Sequence, residues 1–300
     1  MYKNTDELKE AIKTHKLENF EKEILNLAKP SIQILREKVD EDSIPIGASK
    51  LGGNPDLPED FEWQSYEEKP LTFIGQFNLS ELHPYDKENL LPDTGILYFF
   101  YAVDSIIWGA AEHKGGWQIY YLEDENAPLT RRQHPQAEGE YTKIDKLPVN
   151  QVKYETAITL PRIYRNEFKE KGLNITTKDE REAYWRLFWQ ESNQPLHYFF
   201  GDPTPVQGDV LWEAVEGSQN IKPDFDTHHK RNENQIEHIK SERDNWLFLF
   251  HYPMLPSISS SIKRFISSAY SIGSSFTNGA INPLTINVCA SCSLIPRDIK

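Results

Sequence analysis

Leu71-Thr72-Phe73-Ile74-Gly75-Gln76-Phe77-Asn78-Leu79, followed by Gly95-Ile96-Leu97-Tyr98-Phe99-Phe100-Tyr101, decides the class of this fold. Both runs are of strand length, rich in aromatic and β-branched residues, and too short for helices with two apolar sides. Pro92-Asp93-Thr94-Gly95 supplies turn chemistry ahead of the second run. Working outward, Gly115-Gly116 precedes Trp117-Gln118-Ile119-Tyr120-Tyr121-Leu122, a third strand, and Trp246-Leu247-Phe248-Leu249-Phe250 is another buried one. Val152, Tyr154, Thr156, Ile158 and Leu160 alternate, as in a sheet with one wet face. The expected fold is α+β, mainly antiparallel sheet.

Helices are expected at the N-terminus and once in mid-chain. Asn4 with Glu7 forms a capping-box pattern, and Leu8, Ile12 and Leu17 fit an amphipathic helix. A second helix runs from about 18 to 28 and ends before Pro30, with residues 31–37 opening the sheet. Thr177 and Glu180 open a third helix through Gln190, with Tyr184, Leu187 and Phe188 on one face and Trp185 and Trp189 widening it. Residues 216–243 are polar and read as a long loop.

Charge and composition narrow the partners. The 46 acidic residues outnumber 33 basic ones, for a net charge of −13. That opposes nucleic acid or an anionic membrane as the main partner, because phosphate binding needs clustered Lys and Arg. The 15 Phe, 14 Tyr and 7 Trp point to ring-dominated cores and contact surfaces. The charged N-terminus lacks a signal-peptide apolar region and no apolar run approaches a membrane span, so a cytoplasmic protein is expected.

Two stretches repeat in order. Gly53-Asn54-Pro55-Asp56 has a counterpart in Gly201-Asp202-Pro203, and Phe73-Ile74-Gly75-Gln76-Phe77 aligns with Phe248-Leu249-Phe250-His251-Tyr252. Two pseudo-repeated halves are therefore expected within residues 1–250: a first over about 30–160 and an incomplete second over about 161–250. The counterpart of the Gly95–Tyr101 strand should follow residue 260 and is absent from the sequence. Residues 251–300 instead hold 11 Ser, both cysteines and a single acidic residue, Asp298. This atypical tail is read as the product of a frameshift or gene-end rearrangement, poorly ordered or weakly helical. Leu255, Ile258, Ile262, Phe265, Ala269, Ile272 and Phe276 form its helical stripe.

Four stretches together resemble the YwqG-like family, a bacterial family of unknown function. They are Gly47-Ala48-Ser49-Lys50-Leu51-Gly52-Gly53-Asn54-Pro55-Asp56-Leu57-Pro58, the 71–79 and 95–101 strands, and Gly201-Asp202-Pro203-Thr204-Pro205-Val206-Gln207-Gly208-Asp209. The resemblance covers residues 1–250; family members would continue past the Trp246 strand with a Gly-x-Leu-Tyr-Phe strand that this chain lacks.

Lys50, Asp56, Gln76, Asp202, Gln207 and Asp209 are the polar residues that the repeat would bring to equivalent places, and they are the candidates for a cleft between the halves. Turn and strand-end capping is the plainer role for them. Cys289-Ala290-Ser291-Cys292 lacks the further ligands of a zinc site, and His228, His229 and His238 with Asp224 and Asp226 lie in a polar loop without a closed ligand set. No phosphate-binding, dinucleotide or nucleophile-elbow motif occurs, and no metal or cofactor is expected. The expected function is a binding or interaction module with a protein partner, and the resemblance implies a toxin–immunity or stress context. The alternatives are a hydrolase-like enzyme using Asp56, Asp202 or Asp209 as acid–base groups, and a defective family member. Oligomeric state is left open.

Overall fold

A computed structural model describes residues 1–103, 115–135, 147–163, 168–189, 197–203, 211–212, 215–216, 219, 221, 231–242, 245–251, 282–284, 287–289 and 292–296. Gln207, Asp209, Asp224, Asp226, His228, His229 and the helical stripe of the tail lie outside these residues.

The chain opens with α1 (Thr5–Thr14) and α2 (Glu21–Leu27). The side chain of Asn4 accepts from the Glu7 backbone N–H at 2.9 Å, closing off the first turn of α1 as the capping pattern predicts. Two long central strands follow, β1 (Lys29–Lys38) and later β10 (Asn150–Thr159), paired antiparallel along their whole length from Lys29↔Thr159 to Lys38↔Asn150. Between them the chain lays down β2 (Lys50–Leu51), β3 (Asp56–Pro58), the small β4 (Ser65–Tyr66) and β5 (Lys69–Pro70), and β6 (Thr72–Asn78). A short α3 (Leu79–Leu82) leads to β7 (Ile96–Tyr101), β8 (Trp117–Leu122) and β9 (Leu129–Arg131). After β10 come α4 (Lys178–Trp189), β11 (His197–Phe199), α5 (Glu233–Glu242) and β12 (Trp246–His251).

Eight of the eleven strands of one sheet run in the order β8-β7-β6-β2-β10-β1-β11-β12, with every neighbouring pair antiparallel. Its curl follows from ring distances. β6 and β12 stand five strands apart, about 24 Å across a flat sheet. Yet the Phe77 and Phe250 rings lie 5.0 Å apart and those of Phe99 and Phe250 4.9 Å apart. The sheet therefore closes over its own inner face, and the aromatic runs of β6, β7, β8, β11 and β12 fill the interior. Alternation decides which rings go there: Phe199 faces inward, whereas its neighbour Tyr198 faces out onto a cluster with Val215, Ile239, Trp246 and Phe248. A third cluster holds α1, α2 and α4 together through Leu8, Ile12, Ile24, Tyr184 and Leu187.

Four expectations change. The elements assigned to the two halves lie in one sheet and meet in the cluster that includes Phe77, Phe199 and Phe250, and two pseudo-repeated halves are not seen among the described residues. The alternation expected for β10 holds at Val152 and Tyr154 but breaks further on, where Ala157 and Thr159 are buried and Thr156 is exposed. The Gly201 loop lies over that end of the strand, close enough that a methyl group on Gly201 would stand 3.1 Å from the Ser31 Cβ. The polar stretch 216–243 contains α5, whose Asn232 and Gln235 cap each other's backbone N–H groups. The strand expected to be missing beside β12 has a substitute: β15 (Cys292–Pro296) pairs with it antiparallel, and β14 (Asn287–Cys289) with β15, while β13 (Asn282–Leu284) borders β8.

Candidate functional site

The family-like loop at 47–58 builds its site from the backbone upward. Gly52 and Gly53 adopt φ of +67° and +73°, and a methyl group on Gly52 would stand 2.3 Å from the Pro148 carbonyl oxygen. Only glycine allows both that turn and that approach. The turn lets β2 enter the sheet between β6 and β10, with Lys50 opposite Gln76 on one side and Gln151 on the other. It then sends β3 out to pair with β9, placing Asp56 opposite Arg131.

Lys50, Asp56 and Gln76 are all fully buried, and the structure brings these three predicted residues into one cluster. The Asp56 carboxylate accepts from Lys50 Nζ at 3.1 Å, Gln76 Nε2 at 2.9 Å and the Gly47 N–H at 3.0 Å on Oδ2, and from Arg131 Nε at 2.9 Å on Oδ1. Gln76 Oε1 in return accepts the Asp56 N–H at 2.8 Å, and the Tyr98 hydroxyl donates to the Asp56 carbonyl at 2.7 Å. Burial alone would raise the Asp56 carboxyl, but Arg131, Lys50 and Gly47 overcome it and hold the group below the usual carboxylate range. Burial lowers the Lys50 ammonium, with Asp56 opposing it. The cluster is thus an ion-paired strut whose polar groups point at one another. It ties β2, β3, β6 and β9 together and has no opening to solvent at Lys50 or Asp56.

Sequence reasoning missed Arg131. Its guanidinium spans Asp56, the Glu41 carbonyl at 2.6 Å and the Ile44 carbonyl at 2.8 Å, fastening three separate segments. Nothing in the local pattern of Leu129-Thr130-Arg131-Arg132 signals this, because the pairing with β3 crosses 75 residues. Glu41, which accepts from the Asn54 backbone N–H and, at 3.0 Å, from its side-chain amide, was missed for the same reason.

Asp202 sits elsewhere. It lies at the Thr159 end of β10, where Thr159 Oγ1 accepts its N–H at 2.8 Å, while Lys50 meets β10 at Gln151. Eight residues of extended strand separate those points, about 26 Å by strand rise. Asp56 and Asp202 therefore belong to separate parts of the sheet. Asp202 Oδ1 accepts from Lys29 Nζ at 2.6 Å, and its carbonyl accepts from the Tyr198 hydroxyl at 2.9 Å. Its buried Oδ2 has no hydrogen-bond partner among the described residues. Burial pushes this carboxyl up, against the opposing influence of Lys29 and Lys171. Among the described residues, no group of three His, Cys, Asp or Glu side chains could hold a metal, and His238 is an exposed helix residue bonded to Gln219.

The match to known families falls on this architecture. The family described as a domain of unknown function, DUF1963, matches residues 49–257. The chain belongs to that family. The family region begins at Ser49, beside the Lys50–Asp56 strut, and runs through the central strand β10 to just past β12. No curated protein matches the sequence. Among the described residues no helix is long and apolar enough to cross a membrane.

One surface feature stands apart from these buried clusters. On α4, Trp185 is 39% and Trp189 54% exposed, although they are among the largest apolar side chains of the protein. Their rings meet at 5.8 Å, and Phe188 lies 5.5 Å from Trp189. The helix buries Ala183, Tyr184 and Leu187 instead, so the two tryptophans do not widen the core face as expected.

Proposed function

We propose that this protein is a binding module, as one of the YwqG-like members of its family, and that the Trp185–Phe188–Trp189 ridge is its contact surface. The single observation that carries this is the exposure of two adjacent tryptophans on a helix that already has a complete buried face. Contact surfaces favour Trp and Arg, and Arg162 and Arg186 flank this ridge. The closed strut around Asp56 supports the same reading, since a sealed, fully paired carboxylate offers no group to a substrate. The enzymatic alternative draws on Asp56, Asp202 or Asp209 in a shared cleft, and the roughly 26 Å of β10 between the points where the Asp56 and Asp202 clusters meet it lends such a cleft no support. A cytoplasmic setting and a toxin–immunity or stress context belong to this proposal as well.

The test is a photo-reactive residue in place of the exposed Arg186, with the exposed Lys38 as control. A discrete adduct formed from position 186 and absent from position 38 is expected in cells. Equal or absent labelling at the two positions would remove the ridge as the contact surface.

A further inference from the structure

The tail motif Cys289-Ala290-Ser291-Cys292 takes a place in the sheet that its spacing alone does not announce. β14 and β15 pair antiparallel with Cys289 directly opposite Cys292. Register partners on neighbouring antiparallel strands hold their Cα atoms about 4.5–5.5 Å apart and lie on one face of the sheet. A disulfide takes Cα separations of about 4.4–6.8 Å. The strand pairing therefore sets these residues at bonding separation. They are the 2 cysteines of the chain, so no other disulfide can close within one molecule. Cys292 is also the register partner of His251 on β12, and β14 ends the row β12-β15-β14.

Two thiolates fall short of the four ligands of a structural zinc site, so thiol–disulfide exchange is the chemistry that this pair supplies. We propose that Cys289 and Cys292 form a reversible disulfide across the β14–β15 pair, and that the bond locks this hairpin onto β12. The oxidant is a low-molecular-weight disulfide. One cysteine thiolate attacks a sulfur of that disulfide, forming a mixed disulfide and expelling a small thiolate. The second cysteine thiolate then attacks the protein sulfur of the mixed disulfide, forming the Cys289–Cys292 bond and expelling the other small thiolate. Two electrons pass to the small disulfide, and the two cysteine protons end on the two released thiols. In a reducing compartment such a pair stays a dithiol until an oxidant arrives, so the bond acts there as a switch and not as a permanent staple. Linkage sets the consequence. If the paired hairpin favours the disulfide by some factor, the disulfide favours the pairing by the same factor.

The test equilibrates the full chain with reduced and oxidised glutathione, once in native buffer and once in denaturing urea. Acid quenching, alkylation and mass spectrometry then count the free thiols. Both cysteines should become blocked together, in the monomer and without added glutathione mass. The glutathione balance at the midpoint should favour the disulfide about tenfold more in native buffer than in urea. On oxidation, hydrogen exchange at the Ser293, Leu294 and Ile295 amides should slow by a similar factor. A variant carrying Cys289→Ser and Cys292→Ser should show no such response to the oxidant. Equal midpoints in buffer and urea would mean that short spacing along the chain, not strand register, brings the thiols together, and would overturn the proposal. Mixed disulfides or disulfide-linked dimers as the main products would overturn it too, as would amide exchange indifferent to oxidation.

Discussion

Asp56 and Asp202 each stand beside a proline in a glycine-containing loop, and each has a lysine on its carboxylate and a tyrosine hydroxyl on its carbonyl. The resemblance ends at the second oxygen. Asp56 has both oxygens occupied, by Lys50, Gln76, Gly47 and Arg131, and its lysine is fully buried. Asp202 has one oxygen occupied, and its lysine is 52% exposed along the side chain. Burial acts on both carboxyls in the same direction, but the net shift is downward at Asp56 and upward at Asp202. At Asp56 the donors on both oxygens outweigh burial, whereas at Asp202 burial outweighs the lysines that oppose it.

Four variants would break or sharpen this comparison. Asp56→Ala leaves Lys50 and Arg131 facing each other without their shared anion, and losing one partner of such a buried pair costs about 3–5 kcal/mol. Urea denaturation should show that loss; a change under 1 kcal/mol would mean the strut is not holding the sheet. Gly52→Ala should cost about 3 kcal/mol, because the new methyl meets the Pro148 backbone oxygen and the residue keeps a positive φ. Gly201→Ala should cost less, about 2 kcal/mol, because its nearest obstacle is the Thr159 side chain rather than backbone, although displacing that hydroxyl gives up the hydrogen bond from the Asp202 N–H. Equal losses at the two glycines would show that backbone conformation alone, not the obstacle, sets the cost.

The smallest effect is expected at Asp202. Asp202→Asn should change stability by under about 1 kcal/mol at pH 7, since Lys29 can turn its ammonium to solvent. The pH dependence carries the sign. A carboxyl raised in the fold lowers stability as pH climbs from its unfolded value, near 3.9, through its folded value. The Asn variant should therefore gain on the wild type across that window and run parallel to it above. Asp56 behaves oppositely, since its stabilisation is present above the unfolded value and disappears as pH falls through the lowered folded one. Thermal melts between about pH 3 and pH 8 separate the two, and a wild-type stability that falls relative to the Asn variant on acidification would refute the assignment at Asp202.

Much of the fold was legible. The Thr72–Asn78, Ile96–Tyr101, Trp117–Leu122 and Trp246–His251 strands and the α1 cap lie where local patterns put them, because runs of large apolar side chains and capping residues act over a few positions. The capping pair that opens α5, Asn232 and Gln235, was equally local, but the polar composition around it masked the signal. The exposure of Trp185 and Trp189 could not be read from their type, since a helix stripe gives spacing but not which side meets the core.

The sequence by itself determined that this is an acidic, ring-rich α+β protein with an antiparallel sheet, a glycine-bent loop before Asp56, and Lys50, Asp56 and Gln76 as polar residues set among apolar strands. Only the tertiary structure decided that the sheet curls until Phe77 meets Phe250, that Arg131 completes the Asp56 cluster, and that Asp202 stands at the far end of β10. The physical reason is range. Turns, caps and alternation are set by neighbours along the chain, whereas curl, ion pairing and separation depend on strand pairings across tens of residues, for which no local pattern carries the register.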